Sequence, residues 1–396
     1  MSPGTSSGSA YFAPLARRVV RETKGWQVWS VERRENLLED QSVFNRAKRG
    51  KASPQKVFDY YQKWLTDPSI TNHVQPVPDE DVQFAKRWGM RVEVHDLRKV
   101  VKRAERRGRH VVLGGHSLGG SIMTAYATWD FHGNPGAKGL SGLVFIDGGS
   151  TPDAVSEAEA KESLHDLRKA PSPWFSFGFP APYTGVAATA GALRAKMAPD
   201  APSLVQDWSG LPTYFKPPVP VTNEAQFGYG AHVRTTSSIA LMSYQVHAGH
   251  LERGNCNPCG WVRDGAITPI QRYARMISGW RLKDVDGTAW YHPMRLTIDS
   301  GAVADGNRNP AQKVLHVNAI HGDDVHVPIY AFAAALGDGR VIDAARALAR
   351  QSHLPPRKLT IVDRHRTYAH NDPSAAFPRN AFVKHLVPFL EAIGRG

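Results

Sequence analysis

Residues 111–120 read Val-Val-Leu-Gly-Gly-His-Ser-Leu-Gly-Gly, a short apolar run that drives straight into a Gly-x-Ser-x-Gly turn. The run predicts a buried strand, and residues 121–127 continue as a helix, so the serine falls on the bend between the two. A bend this sharp holds Ser117 in a strained conformation with its hydroxyl pushed out of the fold. Gly115 and Gly119 flank it, where a side chain would crowd the turn. A five-residue pattern with two free positions recurs by chance. Its weight here comes from the strand before it and the helix after it.

The rest of the chain alternates in the same way. Tyr11, Phe12, Leu15, Val19 and Val20 share one helical face, and 27–31 predicts a short strand. Ser53 with Pro54 opens a helix whose apolar stripe is Val57, Phe58, Tyr61 and Leu65. Val82, Phe84, Ala85 and Trp88 predict another, followed by a basic helix near 96–107 and a strand at 110–114. Gly142 to Asp147 is a fully apolar strand ending in an acid. Further strands are predicted at 314–320 and 359–362, with a helix at 340–351 between them and an amphipathic C-terminal helix through Phe382, Leu386, Phe389, Leu390 and Ile393. Strands alternating with helices predict an α/β fold, a mostly parallel sheet covered on both faces.

The segment 151–312 breaks that rhythm. It is dense in proline and carries Trp174, Trp208, Trp261, Trp280 and Trp290. Inserted between two sheet strands, it reads as a cap over their carboxyl ends, where open α/β sheets bind ligands. The expected division is therefore a core at 1–150, a cap insertion at 151–312 and a second part of the core at 313–396. Aromatic side chains in the cap suit an apolar pocket wall, and they suit plain packing as well.

Charge and cysteine content narrow the function by exclusion. The net charge is +13. Much of it sits on Lys99, Lys102, Arg103, Arg106, Arg107 and Arg109, interleaved with Val100, Val101 and Ala104 at helical spacing, which reads as a solvated face. No aromatics are interleaved for base stacking, so nucleic acid is not an expected partner. No run of about 18 apolar residues predicts a transmembrane segment. Cys256 and Cys259 read first as a disulfide closing a tight loop, which suits an oxidising compartment. A pair of idle thiols is the second reading, and a zinc site completed by His247 and His250, whose spacing is ligand-like, is the third. The compartment, cytoplasmic or secreted, stays open.

A serine hydroxyl is a poor nucleophile at neutral pH and needs a base, an acid to orient the base, and donors for the developing oxyanion. His370, after the strand at 359–362, has the chain position of the base. His365 is its rival, and His385 lies on the last helix. For the acid, 320–328 offers Asp324, with Asp323 better suited to capping the turn. Asp147 at the end of the preceding strand is the alternative.

Gly-Gly-His-Ser-Leu-Gly-Gly (114–120), Ile-His-Gly-Asp-Asp-Val-His-Val-Pro (320–328) and Tyr-Ala-His-Asn-Asp-Pro (368–373), in this order, resemble the serine esterases and lipases of the α/β-hydrolase family. The resemblance covers the chain outside 151–312. It implies Ser117 as nucleophile, Asp324 as acid and His370 as base, with the Leu118 N–H as one oxyanion donor. It further implies ester hydrolysis through an acyl-enzyme, a small-molecule substrate and no cofactor. A catalytically silent ligand- or partner-binding protein on the same fold is the alternative.

In that family a strand ending in His-Gly feeds the loop that supplies the second oxyanion donor. Residues 1–10 look like this loop with Pro-Gly instead, which makes Thr5 the second donor and Ser6 the fallback. A Ser/Gly-rich tail is the competing reading. On the loop reading, the strand that should precede it is absent, which predicts unpaired backbone beside the catalytic strand and a start site internal to a longer frame.

Overall fold

The computed structural model describes residues 1–176, 179–235 and 244–395. Its centre is a parallel sheet of β1 (Val112–His116), β2 (Gly142–Ile146), β3 (Ile329–Ala333) and β4 (Leu359–Asp363), paired in that order. Each strand is short and apolar, and β2 and β3 are buried throughout. Continuous apolar strands of this kind belong to sheets covered on both faces.

The pleat divides their side chains between two cores. Leu113, Leu143, Phe145, Ile329 and Ala331 face one side, and Val144, Ile146, Tyr330, Phe332 and Val362 face the other. The second side is covered by α1 (Ala13–Glu22) through Leu15 and Val19. The first is covered by α2 (Met90–Glu105) through Met90, Val94, Leu97 and Val101, and by α3 (Leu118–Thr128), which is buried along nearly its whole length. Between β2 and β3 lie α4 (Tyr183–Met197), α5 (Asn223–Ala231) and α6 (Ile270–Ile277). The helix α7 (Arg340–Gln351) joins β3 to β4 over the first face, and α8 (Ala381–Gly394) closes the second.

A third apolar cluster joins Phe44, Val57 and Tyr61 to Ala190, Leu193, Trp174 and Trp290. Packing therefore runs across residue 150, where the sequence suggested a boundary. The tryptophans Trp174 and Trp290 serve this cluster.

Two expected elements differ. The apolar run at 314–320 is not a strand. Asn309 caps a helix at Pro310–Leu315 by accepting from the Gln312 N–H, and the chain then passes His316 in the left-handed region. The strand pairing with β2 is instead Ile329–Ala333. The second difference is at the N-terminus. Ser2 lies beside β1, its N–H donating to the Gly114 carbonyl at 2.7 Å and its carbonyl accepting from the His116 N–H at 3.1 Å. Residues 27–31 do not form a regular strand, yet Val31 donates to the Met1 carbonyl at 3.0 Å. The first residues are thus threaded between β1 and the 29–31 segment rather than forming a loose tail.

Phe332 is fully buried on β3 against Tyr368 and Phe382. Phe332→Ala is expected to lower unfolding stability by about 3–5 kcal/mol, from lost transfer energy and the cavity left behind. Urea denaturation followed by circular dichroism measures it.

Candidate active site

Ser117 closes β1 and begins α3. Its backbone has φ 54° and ψ −127°, a conformation that a non-glycine residue rarely adopts and that costs about 1–3 kcal/mol. Close backbone packing holds it there. A Cβ on Gly119 would sit 2.2 Å from the Ser2 carbonyl oxygen. The Ser117 N–H donates to the Ile146 carbonyl at 3.0 Å, which ties the bend to the end of β2.

One residue beyond β2, Asp147 is buried and also has positive φ, 44°. Its Oδ1 accepts from the Ala334 N–H at 2.8 Å, and its Oδ2 lies 2.7 Å from His370 Nδ1. His370 is itself buried, on the loop that follows β4. Because a carboxylate can only accept, Nδ1 carries the proton and Nε2 is left free to take one. In a parallel sheet Ser117, Asp147 and His370 all follow the carboxyl ends of their strands, where ligands of such sheets bind.

Asp324 lies elsewhere. It sits in the short helical turn Gly322–Asp324 before β3, half exposed, and its Oδ2 pairs with His321 Nδ1 at 2.8 Å. That turn leads into the amino end of β3, so Asp324 belongs to the opposite end of the sheet's strands from Ser117. Of the two acids weighed from sequence, the structure brings Asp147 to the histidine. The misplacement follows from the strand misread at 314–320, since Asp324 would close that strand but only enters the real one. Asp323 accepts from Gln351 Nε2, and His365 pairs with the exposed Asp363 at 2.6 Å.

The segment 2–6 lies over the serine. A Cβ on Gly4 would come within 2.7 Å of Ser117 Cβ, so glycine is needed for this approach. Arg33 holds the segment from beneath. Its Nη1 donates to the Pro3 and Gly4 carbonyls at 3.1 and 3.0 Å while its Nε pairs with the buried Glu35 at 2.6 Å. From above, the Tyr244 hydroxyl donates to the Ser6 carbonyl at 3.0 Å. Thr5 and Ser6 are thus carried on a fixed loop, with Ser6 at φ 52°.

Several supporting residues were not foreseen. His116, inside the motif itself, has Nε2 3.0 Å from both the Tyr11 hydroxyl and the His370 carbonyl. Tyr11 donates its one proton to Asn371 Oδ1 at 2.9 Å, so His116 must be the donor at Nε2. Burial, with a contribution from neighbouring His370, pushes the His116 imidazole well below its ordinary value and keeps it neutral. Asp372 is fully buried and gathers His247 Nδ1 at 2.7 Å, the Thr268 hydroxyl at 2.7 Å and the Ala369 N–H at 2.7 Å. Residue types alone do not mark these contacts, since all but the Ala369 N–H to Asp372 bond join chain positions more than a hundred residues apart.

The zinc reading is not supported. Cys256 and Cys259 form a disulfide, His247 is engaged by Asp372, and His250 Nδ1 contacts the Leu251 carbonyl. Among the described residues no cluster of three or more His, Cys, Asp or Glu side chains is placed to hold a metal. Nor, among them, is any helix long and apolar enough to cross a membrane.

An open parallel sheet covered by helices, with a strained serine at a strand-to-helix turn and a buried Asp–His pair beside it, is the architecture of the α/β-hydrolase fold. No family model matches the chain, and no curated protein does. Among solved structures it is similar to a putative lipase from Sulfolobus solfataricus, at 14% identity and TM-score 0.44, covering 100% of this chain and 84% of that one. It is also similar to MenH from S. aureus, at 13% identity and TM-score 0.34 over 85% and 90% of the two chains. A soluble variant of monoglyceride lipase from Saccharomyces cerevisiae, solved with a substrate analog, gives 13% identity and TM-score 0.28 over 76% and 67%.

Glu32 supports the loop through Ser9, whose N–H it accepts at 2.9 Å. Burial pushes its carboxyl up from 4.5 to about 7. The folded state therefore holds this proton over a pH range in which the unfolded chain has lost it, and stability from this group falls as pH rises from 4.5 to 7. Glu32→Gln is expected to flatten that slope, by less than roughly 3 kcal/mol. Urea midpoints at pH 5 and 7.5 read it.

Proposed function

We propose that this protein is a serine hydrolase that cleaves a carboxylic ester with an apolar acyl or alcohol part through an acyl-enzyme on Ser117. The observation that carries the reading is the buried Asp147–His370 hydrogen bond of 2.7 Å at the same end of the sheet as the strained Ser117. With Asp147 as the acid, the order along the chain remains serine, acid, histidine, the order of α/β hydrolases.

In this reading His370 Nε2 takes the proton of Ser117 Oγ as that oxygen attacks the ester carbonyl. The tetrahedral oxyanion is met by the Leu118 N–H, one of the first-turn amides that no helix can satisfy internally, and by the N–H of Thr5. Collapse expels the alcohol, which leaves with the proton from His370. A water, deprotonated by the same nitrogen, then attacks the acyl-enzyme, and the released acid restores Ser117. Asp147 keeps the imidazole in the required tautomer and stabilises its protonated form. No step calls for a cofactor. The region 151–312 is read as the cap that walls the substrate site, and its aromatic content favours an apolar substrate.

A fluorophosphonate probe tests the nucleophile. Wild type is expected to label and Ser117→Ala to remain unlabelled, whereas a folded wild type that does not label would make this a ligand- or partner-binding protein on a hydrolase fold. Asp147→Asn should lower the hydrolysis of p-nitrophenyl butyrate roughly 10³–10⁴-fold, as loss of the orienting acid does elsewhere. Asp324→Asn should leave the rate close to wild type. The reverse pattern would return the acid to Asp324. Gly4→Ala, which places a methyl against Ser117, is expected to abolish turnover while the circular dichroism spectrum stays that of wild type.

A further inference from the structure

A mostly apolar cavity of about 150 Å³ lies between α4 and α5. Phe179, Phe215, Phe227 and Tyr273 line it together with Gln62 and Arg194, while the Asn223 and Gln226 amides at its margin donate to the Ala198 and Phe215 carbonyls. The side chain of Tyr244, whose hydroxyl holds the Ser6 carbonyl, lines it too, so the cavity adjoins the loop over Ser117.

Arg194 is the anomaly. It is 4% exposed, and its Nη1 donates to Gln62 Oε1 at 2.6 Å. The ring of Phe58 lies 5.6 Å from its guanidinium carbon. An amide dipole and an aromatic face soften the burial of a cation but bring no counter-charge. Among the described residues no carboxylate pairs with Arg194, and no Asp or Glu occurs in 177–178 or 236–243. Burial alone pushes the guanidinium down to about 9, so it stays charged at neutral pH. A buried cation without an anion is costly, and buried charges are ordinarily paired. Here an apolar cavity opens onto the place where the anion would be.

We propose that this cavity binds a small apolar carboxylate, its apolar body among the aromatic walls and its carboxylate on Arg194 and the Gln62 amide. Arginine presents a planar fork of donors that matches a carboxylate's two oxygens. The Gln62 Nε2 donates to no described residue and lies beside that fork. Size limits the ligand, because an apolar cavity of about 150 Å³ holds a benzene-sized body. An aryl or short-chain acid meets both conditions, whereas a long-chain acid meets only the charge. The site is separate from Ser117 in the residues that form it, so it extends the hydrolase reading without depending on it.

The test is calorimetric titration of the full chain with benzoate, with its neutral analogue benzyl alcohol, and with inorganic phosphate. Wild type is expected to bind benzoate at least tenfold tighter than either. Arg194→Met should remove the preference for benzoate over benzyl alcohol while retaining binding of the alcohol, which also shows that the cavity is still formed. Gln62→Leu should weaken benzoate severalfold, as a second variant that leaves the cation in place. Equal binding of benzoate and benzyl alcohol by wild type, or no binding of benzoate, would overturn the proposal. So would an unchanged benzoate affinity in Arg194→Met, or phosphate binding as tightly as benzoate. Fluorophosphonate labelling of wild type reports on Ser117 alone, so failure of the hydrolase reading is seen separately.

Discussion

The conformation of Ser117 is the constraint around which the surrounding structure is arranged. A serine at φ 54° persists only when its neighbours leave it no relaxed alternative. Those neighbours are backbone rather than side chain. The Ser2 carbonyl is packed against Gly119, and a Cβ on Gly148 would meet the Ser117 carbonyl oxygen at 2.0 Å. The segment over the serine, the turn after β2 and the first turn of α3 therefore fit together only with glycine at the contacts. Side chains could repack around a substitution there, but main chain cannot.

What was legible in the sequence was local. The elbow is a contiguous pattern, and β2 and β4 are short apolar runs with helices beside them, so their places could be read directly. The acid was harder. Val314 to Ile320 has the composition of a strand, yet its first residues end a helix that Asn309 caps and Pro310 opens. Once that strand is removed, Asp324 loses its position at a carboxyl end, and Asp147 is left as the carboxylate beside His370. The choice of acid turns on whether 314–320 is a strand, and periodicity alone does not tell a short apolar strand from a helix segment.

The polar support of the site was illegible for a different reason. Arg33 under the Pro3 and Gly4 carbonyls, His116 under the His370 carbonyl and Asp372 on His247 are each single residues without any pattern of their own. Their meaning comes from burial. In a low-dielectric interior an unpaired donor or charge is expensive, so each such residue fixes whatever it touches. Sequence shows that an arginine is present but not which carbonyls it faces.

Residues 244–247 grip both sides of the site at once. Tyr244 donates to the Ser6 carbonyl on the loop over the serine, the Gln245 carbonyl accepts from the Asn371 N–H beside His370, and His247 is bound to Asp372. The same short stretch also borders the aromatic cavity through Tyr244. The loop over Ser117, the loop that carries His370 and one wall of the cavity are therefore held by a single four-residue piece of chain.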